Sequence, residues 1–477
     1  MARGGRFIHL LIVAVLLIGG LVVVGTLRRS YIAETTMKAL EREISRRVGA
    51  EVTIGRVGGS ILTGVTLEDV EVRTSGGTEV GLARVEARYS PVELVRSPRR
   101  LKELRIVGPA VRVARGAGEG GDGTRFPALP VGADRILIEG GTVEDRTFRG
   151  SGISLAASLR TEGESWLLSI DALAGEIVLP SGRGFPLRLE GSAVFGPAEA
   201  CSLAVTCRAL GSRIDHAGAY VLGSPIRGRG ELVFSPLDIA EVLRSATGRE
   251  ESRTISAEGR LRFAGSADSL SFSCEAAGEA GGIPFERLRA AGVIEGAKVR
   301  VERLAAEAAG ARIEGEGSLD LENGGESRLS LAFERFDPAR FSPGLAGRTA
   351  SDLNGTLTWK GSGQELKELK GRIAVRLADS RVERVRVREA SVAGSVVPGG
   401  ISVDESVVRT ERAEARFGGF AGFDGAIDGR LEAEIPSLAE FRALAGVDTL
   451  AGSARASVRV TGKGGRMRAE GAFDVKG

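Results

Sequence analysis

Few side chains in this chain could carry chemistry. Among 477 residues there are two histidines, His9 and His216, and three cysteines, Cys201, Cys207 and Cys274. A hydrolytic triad or a catalytic zinc needs histidine in the company of a nucleophile or of further ligands. His9 lies in an apolar run, and His216 reads as part of a loop, GSRIDHAGAY, where it forms a surface pair with Asp215. The cysteines are too few for a disulfide framework and too irregular for a zinc site. Cys201 and Cys207 would point to the same side of one strand, about 20 Å apart, and all three read as small apolar side chains. Acid pairs such as Glu68 and Asp69 or Glu144 and Asp145 are commonplace among 62 acidic residues, so none stands out as a glycosidase dyad. GAGEGGDG (116–123) lacks the Lys and Ser/Thr of a phosphate loop, and TGKGG around Lys463 lacks the preceding glycine. Asn354-Gly-Thr356 matches a glycosylation sequon, read here as a chance match. The expectation is a non-enzymatic protein with no catalytic residue, no cofactor and no metal.

If chemistry does not organise the chain, its elements must. From Phe7 to Leu27 the run FIHLLIVAVLLIGGLVVVGTL carries no charged residue. As a helix it is long enough to cross the ~30 Å hydrocarbon core. Phe7, Leu10, Leu11, Val15, Leu17, Leu21, Val24 and Leu27 would anchor it, making 1–29 a transmembrane segment. The following TLRRSYIAE has no small-x-small cleavage site, which favours an uncleaved anchor over a signal peptide. Arginines flank the run on both sides, with Arg28, Arg29, Lys38, Arg42, Arg46 and Arg47 after it. Taken literally, the positive-inside rule favours a cytoplasmic carboxyl side, but the rule weakens when a long domain follows and does not settle the orientation alone. Within 30–49, Met37, Leu40, Ile44 and Val48 recur at helical spacing and describe a short amphipathic helix.

Beyond Gly49 the pattern changes to strands. LARVEARY, RLSLAF and RIAVRL alternate apolar and polar residues, which gives each strand one apolar and one charged face. The phase of the first is imperfect, as at a bulge. Sixty-nine glycines against 17 Phe, 3 Tyr and 2 Trp describe many turns and few large core residues. A net charge of +3 with both signs interspersed excludes a nucleic-acid surface.

A longer repeat overlies the strands. GRLRFAG (259–265), GTLTWKG (355–361) and ASVRVTG (456–462) recur about 100 residues apart, each after a helix-like linker starting near Pro236, Pro338 or Pro436. The chain is therefore divided into a first β region (50–235), two repeats (236–337 and 338–435) and the start of another (436–477). Such modules stack lengthwise. The expected fold is mostly β: an elongated, curved antiparallel sheet with short crossing helices. An uncovered apolar face in water calls for an apolar occupant; a closed sandwich is the alternative. The candidate lining residues are Leu261, Phe263, Leu357, Trp359, Val458 and Val460, paired on one face by parity.

The anchor, VGAEVTIGRVGGSILTGVTLEDVEVR (48–73), VEARYSPVELVRSPRRLKELRIVGPAVRVAR (85–115) and RIEGEGSLDLENG (312–324) together resemble AsmA-like proteins, in particular the TamB family. Members of that family are the inner-membrane subunit of the translocation and assembly module. The resemblance implies a single-pass protein of the bacterial inner membrane. Its periplasmic bulk would be a taco-shaped β structure that conducts phospholipids toward the outer membrane. It equally implies a role in assembling outer-membrane β-barrel proteins. Contact with a barrel partner belongs to a carboxyl-terminal domain of the family that this sequence lacks, stopping in mid-pattern at GAFDVKG; a fragment or a shorter relative is expected.

Overall fold

A computed structural model describes residues 41–42, 45 and 50–476, except 61–62, 75–76, 96–98, 114–131, 146–147, 180–181, 198–199, 223–224, 248–254, 267, 321–324, 342–350, 364–369, 384, 442–450 and 464–465. The expected anchor, most of the amphipathic helix and the glycine-rich stretch 116–123 lie outside the described residues. Among the described residues no helix is long and apolar enough to cross a membrane.

The chain forms two compact units, 1–267 and 268–477. The first carries β1 (Ala50–Ser60), β2 (Gly64–Thr74), β3 (Glu79–Arg88), α1 (Pro91–Val95), β4 (Arg100–Leu101), β5 (Glu103–Arg112), β6 (Gly132–Glu144), β7 (Arg149–Glu162), β8 (Ser165–Val178), β9 (Gly184–Phe195), β10 (Ala200–Ala209), β11 (Ser212–Val221), β12 (Arg227–Asp238), α2 (Ile239–Thr247) and β13 (Ile255–Ser266). The second carries β14 (Ser269–Ala280), β15 (Ile283–Glu295), β16 (Lys298–Ala308), β17 (Ala311–Asp320), β18 (Ser327–Phe336), α3 (Pro338–Phe341), β19 (Ser351–Ser362), β20 (Lys370–Val382), β21 (Val385–Val397), β22 (Gly400–Thr410), β23 (Glu414–Gly422), β24 (Ala426–Ile435), a 3₁₀ turn (Leu438–Phe441), β25 (Ser453–Lys463) and β26 (Arg466–Lys476).

Within each unit the strands pair in sequence as an antiparallel meander, except that β3 pairs with β5 and not with β4, and β4 and β5 both pair in parallel with β6. β5 and β6 pair in parallel, Leu104 opposite Ile136 and Val111 opposite Val143. The remaining pairings are antiparallel, as expected. Parallel neighbours need a crossover rather than a hairpin, and residues 113–131 supply its length.

Unit one begins as a closed core. Val70, Val72, Leu104 and Ile136 are 0–1% exposed and belong to one cluster built from β1 to β9. The irregular phase of LARVEARY has its counterpart here. Asp69, Gly108, Gly140 and Gly152 all have positive φ, on β2, β5, β6 and β7. At each the buried face of the strand switches parity, so that Leu67 and Val70 both face the core, and from β1 to β6 the strands switch together with no shift of register. The free edge of β1 is covered too. The backbone N–H of Ile54 donates to Glu41 Oε1 (2.9 Å) and that of Val52 to Ser45 Oγ (3.1 Å), so two helical side chains occupy the row of donors an edge strand leaves open.

Helical segments interrupt the meander after β12, β18 and β24, so six strands separate one from the next. The first helix starts later than its proline. Pro236 still belongs to β12, and Asp238 begins the turn, its Oδ1 accepting from the N–H of Glu241 at 2.9 Å. That makes Asp238 the N-cap of α2. In unit two Asp337 Oδ1 accepts from the N–H of Ala339 (3.1 Å), with Pro338 in the first helical position. α3 turns back over the strand ends: Phe341 stacks on Phe336 at 4.7 Å, and Arg340 Nη1 donates to the carbonyl of Ala309 at 3.0 Å.

Asn354 fastens the same end of the sheet. Its Oδ1 accepts from the N–H of Arg335 on β18 (2.9 Å), its Nδ2 donates to the carbonyl of Asp379 on β20 (3.2 Å), and its own N–H donates to buried Ser380 Oγ (2.9 Å). Arg335 and Asp379 are both at positive φ, so the amide spans two bulges. Asn354→Ala removes two hydrogen bonds and is expected to lower the stability of unit two by about 1–3 kcal/mol, measured as a shift in the urea midpoint with unchanged slope.

Candidate functional site: an apolar sheet face

Direct cross-strand partners in a ladder share a face, so the register shows which side chains lie side by side. In unit two one row runs Cys274, Ala290, Leu304, Gly315, Leu331 and Leu357 from β14 to β19. It continues Val375, Val392, Ser406, Phe417, Leu431, Val458 and Gly471 to β26. Ser406 is its one polar member, and its hydroxyl donates to the carbonyl of Phe417 at 3.1 Å. The adjacent row includes Val301, Gly317, Leu329, Trp359, Ile373 and, further on, Val403 and Val460. A third, through Ile313, Phe333, Gly355, Leu377 and Ala390, is apolar throughout. Thirteen strands at ~4.8 Å spacing give each row a contour of about 58 Å.

The opposite face carries the charge. Arg459 pairs with Asp428 (3.0 Å), Arg455 with Glu434 (2.6 Å) and Arg409 with both Glu389 (2.9 Å) and Glu414 (3.0 Å). These hydrogen bonds and charges hold the Glu414 carboxyl below the usual range and raise the Arg409 guanidinium above its own. All of these groups are open to solvent, so they mark a soluble surface rather than a source of stability.

Four predicted lining residues meet on this apolar face: Leu357 and Val458 in the first row, Trp359 and Val460 in the second. Leu261 and Phe263 belong to β13 of unit one, where Leu261 continues a row through Val205, His216 and Leu232, and Phe263 one through Leu203, Gly218 and Gly230. Val458 is 3% exposed; the other five are half-buried. Half-burial is the decisive contrast with β1–β7, where most apolar side chains of the inner face are buried.

Glycine was the residue the sequence reading underused. Many of the 69 lie inside strands on the apolar face, not in turns. The Trp359 ring lies over Gly371, where an added Cβ would stand 2.9 Å from the indole. Gly419, at φ +145°, takes a conformation that side chains rarely allow and bends β23. Large residues lie flat in the gaps left by small ones, which gives a low, smooth floor.

Comparison with protein-family models, with curated proteins and with solved structures found no match. The face must therefore be read from its own chemistry. Among the described residues no three His, Cys, Asp or Glu side chains converge as metal ligands. Cys201 is buried on the apolar side of β10, and burial pushes its thiol up to about 11, which keeps it protonated and inert at neutral pH. His216 corrects the sequence reading. It is neither in a loop nor paired with Asp215: it sits mid-strand on β11 with its ring on the apolar face, whereas Asp215 on the other face binds Arg213 (3.0 Å) and Thr206 (2.5 Å). Adjacent strand residues point to opposite faces, so the neighbours Asp215 and His216 never meet.

Proposed function

We propose that the half-open apolar face is a lipid-binding groove, and that this chain is an inner-membrane-anchored, periplasmic bridge-like protein conducting phospholipids toward the outer membrane. The observation that carries the reading is the unbroken apolar register of unit two. Three rows across thirteen strands hold one polar residue in the first and none in the others, and most of their large side chains keep solvent exposure. Water in contact with such a surface costs roughly 25 cal/mol per Å², and acyl chains remove that cost without needing polar partners. The contour of about 58 Å is roughly twice the hydrocarbon thickness of a bilayer, so several chains fit end to end. The sequence resemblance to AsmA-like proteins points the same way.

A photoactivatable amino acid at Leu331 in the full-length chain, expressed in a bacterial envelope, tests this. The expected product is a phospholipid adduct at Leu331 and none at Ser330, its neighbour on the charged face. Outer-membrane barrel polypeptides captured at Leu331, with no lipid, would replace the conduit by the second reading, a periplasm-spanning assembly scaffold. An open apolar sheet face also suits a strand-shaped client.

A further inference from the structure

The face of β9–β13 in unit one is apolar except for buried Ser212 at the start of β11 and one polar pair. Tyr220 lies flat along its own strand over Gly218, where an added Cβ would stand 2.7 Å from the phenol oxygen, and its hydroxyl reaches His216 Nε2 at 2.6 Å. The other ring nitrogen, Nδ1, is 3.0 Å from the backbone carbonyl of Glu231. A carbonyl only accepts, so Nδ1 carries a proton, and in the neutral ring the tyrosine hydroxyl donates to Nε2. Phe263 stacks on the imidazole at 5.9 Å and 14°. Glycines at 218, 228 and 230 leave room for both rings, so the pair is built into the floor. Both residues are half-buried and open on the face's side.

We propose that His216 and Tyr220 form a polar foothold that binds the anionic head oxygen of an acyl lipid, taking up one proton as it does so. The proposal rests on the lipid-groove reading and adds what part of the lipid is recognised. When Nε2 gains a proton it becomes the donor to the tyrosine oxygen, and the phenolic hydrogen is released to point at the anion. The imidazolium supplies the charge and the hydroxyl supplies the contact. Around the pair, β12 and β13 present Leu232, Gly230, Leu261 and Phe263, which carry no charge. β10 presents Cys201 opposite Tyr220, and Cys207. α2 offers Glu241 and Arg244, which pair with each other. Imidazole is therefore the cation available to this face, in an environment where an unpaired anion is costly.

The test uses the full chain in amphipol with a diazirine-bearing fatty acid and its methyl ester, read by mass spectrometry of the labelled β11–β13 peptides. An aliphatic carboxylate stays ionised between about pH 6 and pH 8, so changes in its labelling report the protein. One proton taken up per ligand raises affinity by up to about tenfold per pH unit lowered. The expected result is at least about tenfold stronger acid labelling at the lower pH, lost in His216→Gln and Tyr220→Phe, with ester labelling equal in all three proteins. Ester labelling shows that the variants fold and keep the groove. Acid labelling that keeps its pH dependence in both variants, or is displaced by excess inorganic phosphate, overturns the foothold while leaving the groove. Absence of labelling by either probe overturns the groove and the foothold together.

Discussion

Leu357→Glu is expected to empty the groove of unit two. Leu357 sits between Leu331 and Val375 in the central apolar row, and its side chain is half-buried against them. An ionised carboxylate there has no cation on its own face, because the arginines of β18–β20 lie on the other. Acyl chains crossing that point must either leave water around the carboxylate or enclose it, and enclosure costs several kcal/mol. Each 1.4 kcal/mol is tenfold in affinity, so phospholipid co-purifying with the full chain should fall to less than about a tenth in native mass spectra. The control is one residue away. Thr358→Glu puts the same charge on the exposed face, where surface substitutions change stability by about 0.5 kcal/mol or less, and should leave the lipid count unchanged. Equal loss in both variants would mean that the effect comes from net charge and not from the face, and the groove reading would fail.

That contrast of neighbours is the part of the site that sequence could reveal. A period of two assigns Leu357 and Trp359 to one side and Thr358 and Lys360 to the other with no knowledge of any partner strand. What period cannot give is register, because cross-strand alignment depends on turns and bulges many residues away. The match of Leu331 to Leu357 and of Val375 to Val392 appears only in the ladder. Three misreadings share that cause. His216 was assigned by its sequence neighbour Asp215, when its real neighbours are Tyr220, Glu231 and Phe263, brought in by strand pairing. A turn reading of the glycines in bulk overlooks in-strand ones such as Gly317 and Gly371, whose role is to lie beside Leu329 and Trp359 on a neighbouring strand. The parallel step from β5 to β6 was invisible because a long polar connection looks the same whether it joins hairpin partners or crosses over. The N-cap at Asp238 is legible from local residues, two positions after the proline.

The distinction between a sealed and an open face makes a second large prediction, in one chain with its own control. Ile136→Ala removes a side chain that is 1% exposed, within a cluster that includes Leu104, Val70 and Val72. The surrounding strands are pinned by hydrogen bonds and relax only in part, so a cavity remains and the expected cost is about 2–5 kcal/mol. Leu331→Ala removes a similar volume from the floor of unit two, where the side chain is only half-buried. No enclosed cavity forms, and the expected cost is about 1 kcal/mol or less. Because an array of stacked strands need not unfold as one body, the two effects are best read locally, by hydrogen exchange of β5–β7 amides for the first and β18–β20 amides for the second. A cost at Leu331 as large as that at Ile136 would mean that another layer covers the floor, which is the sandwich alternative. A small cost at Leu331 combined with lipid capture at the same position would mean that the apolar face is kept exposed for an occupant, since its own stability does not depend on filling it.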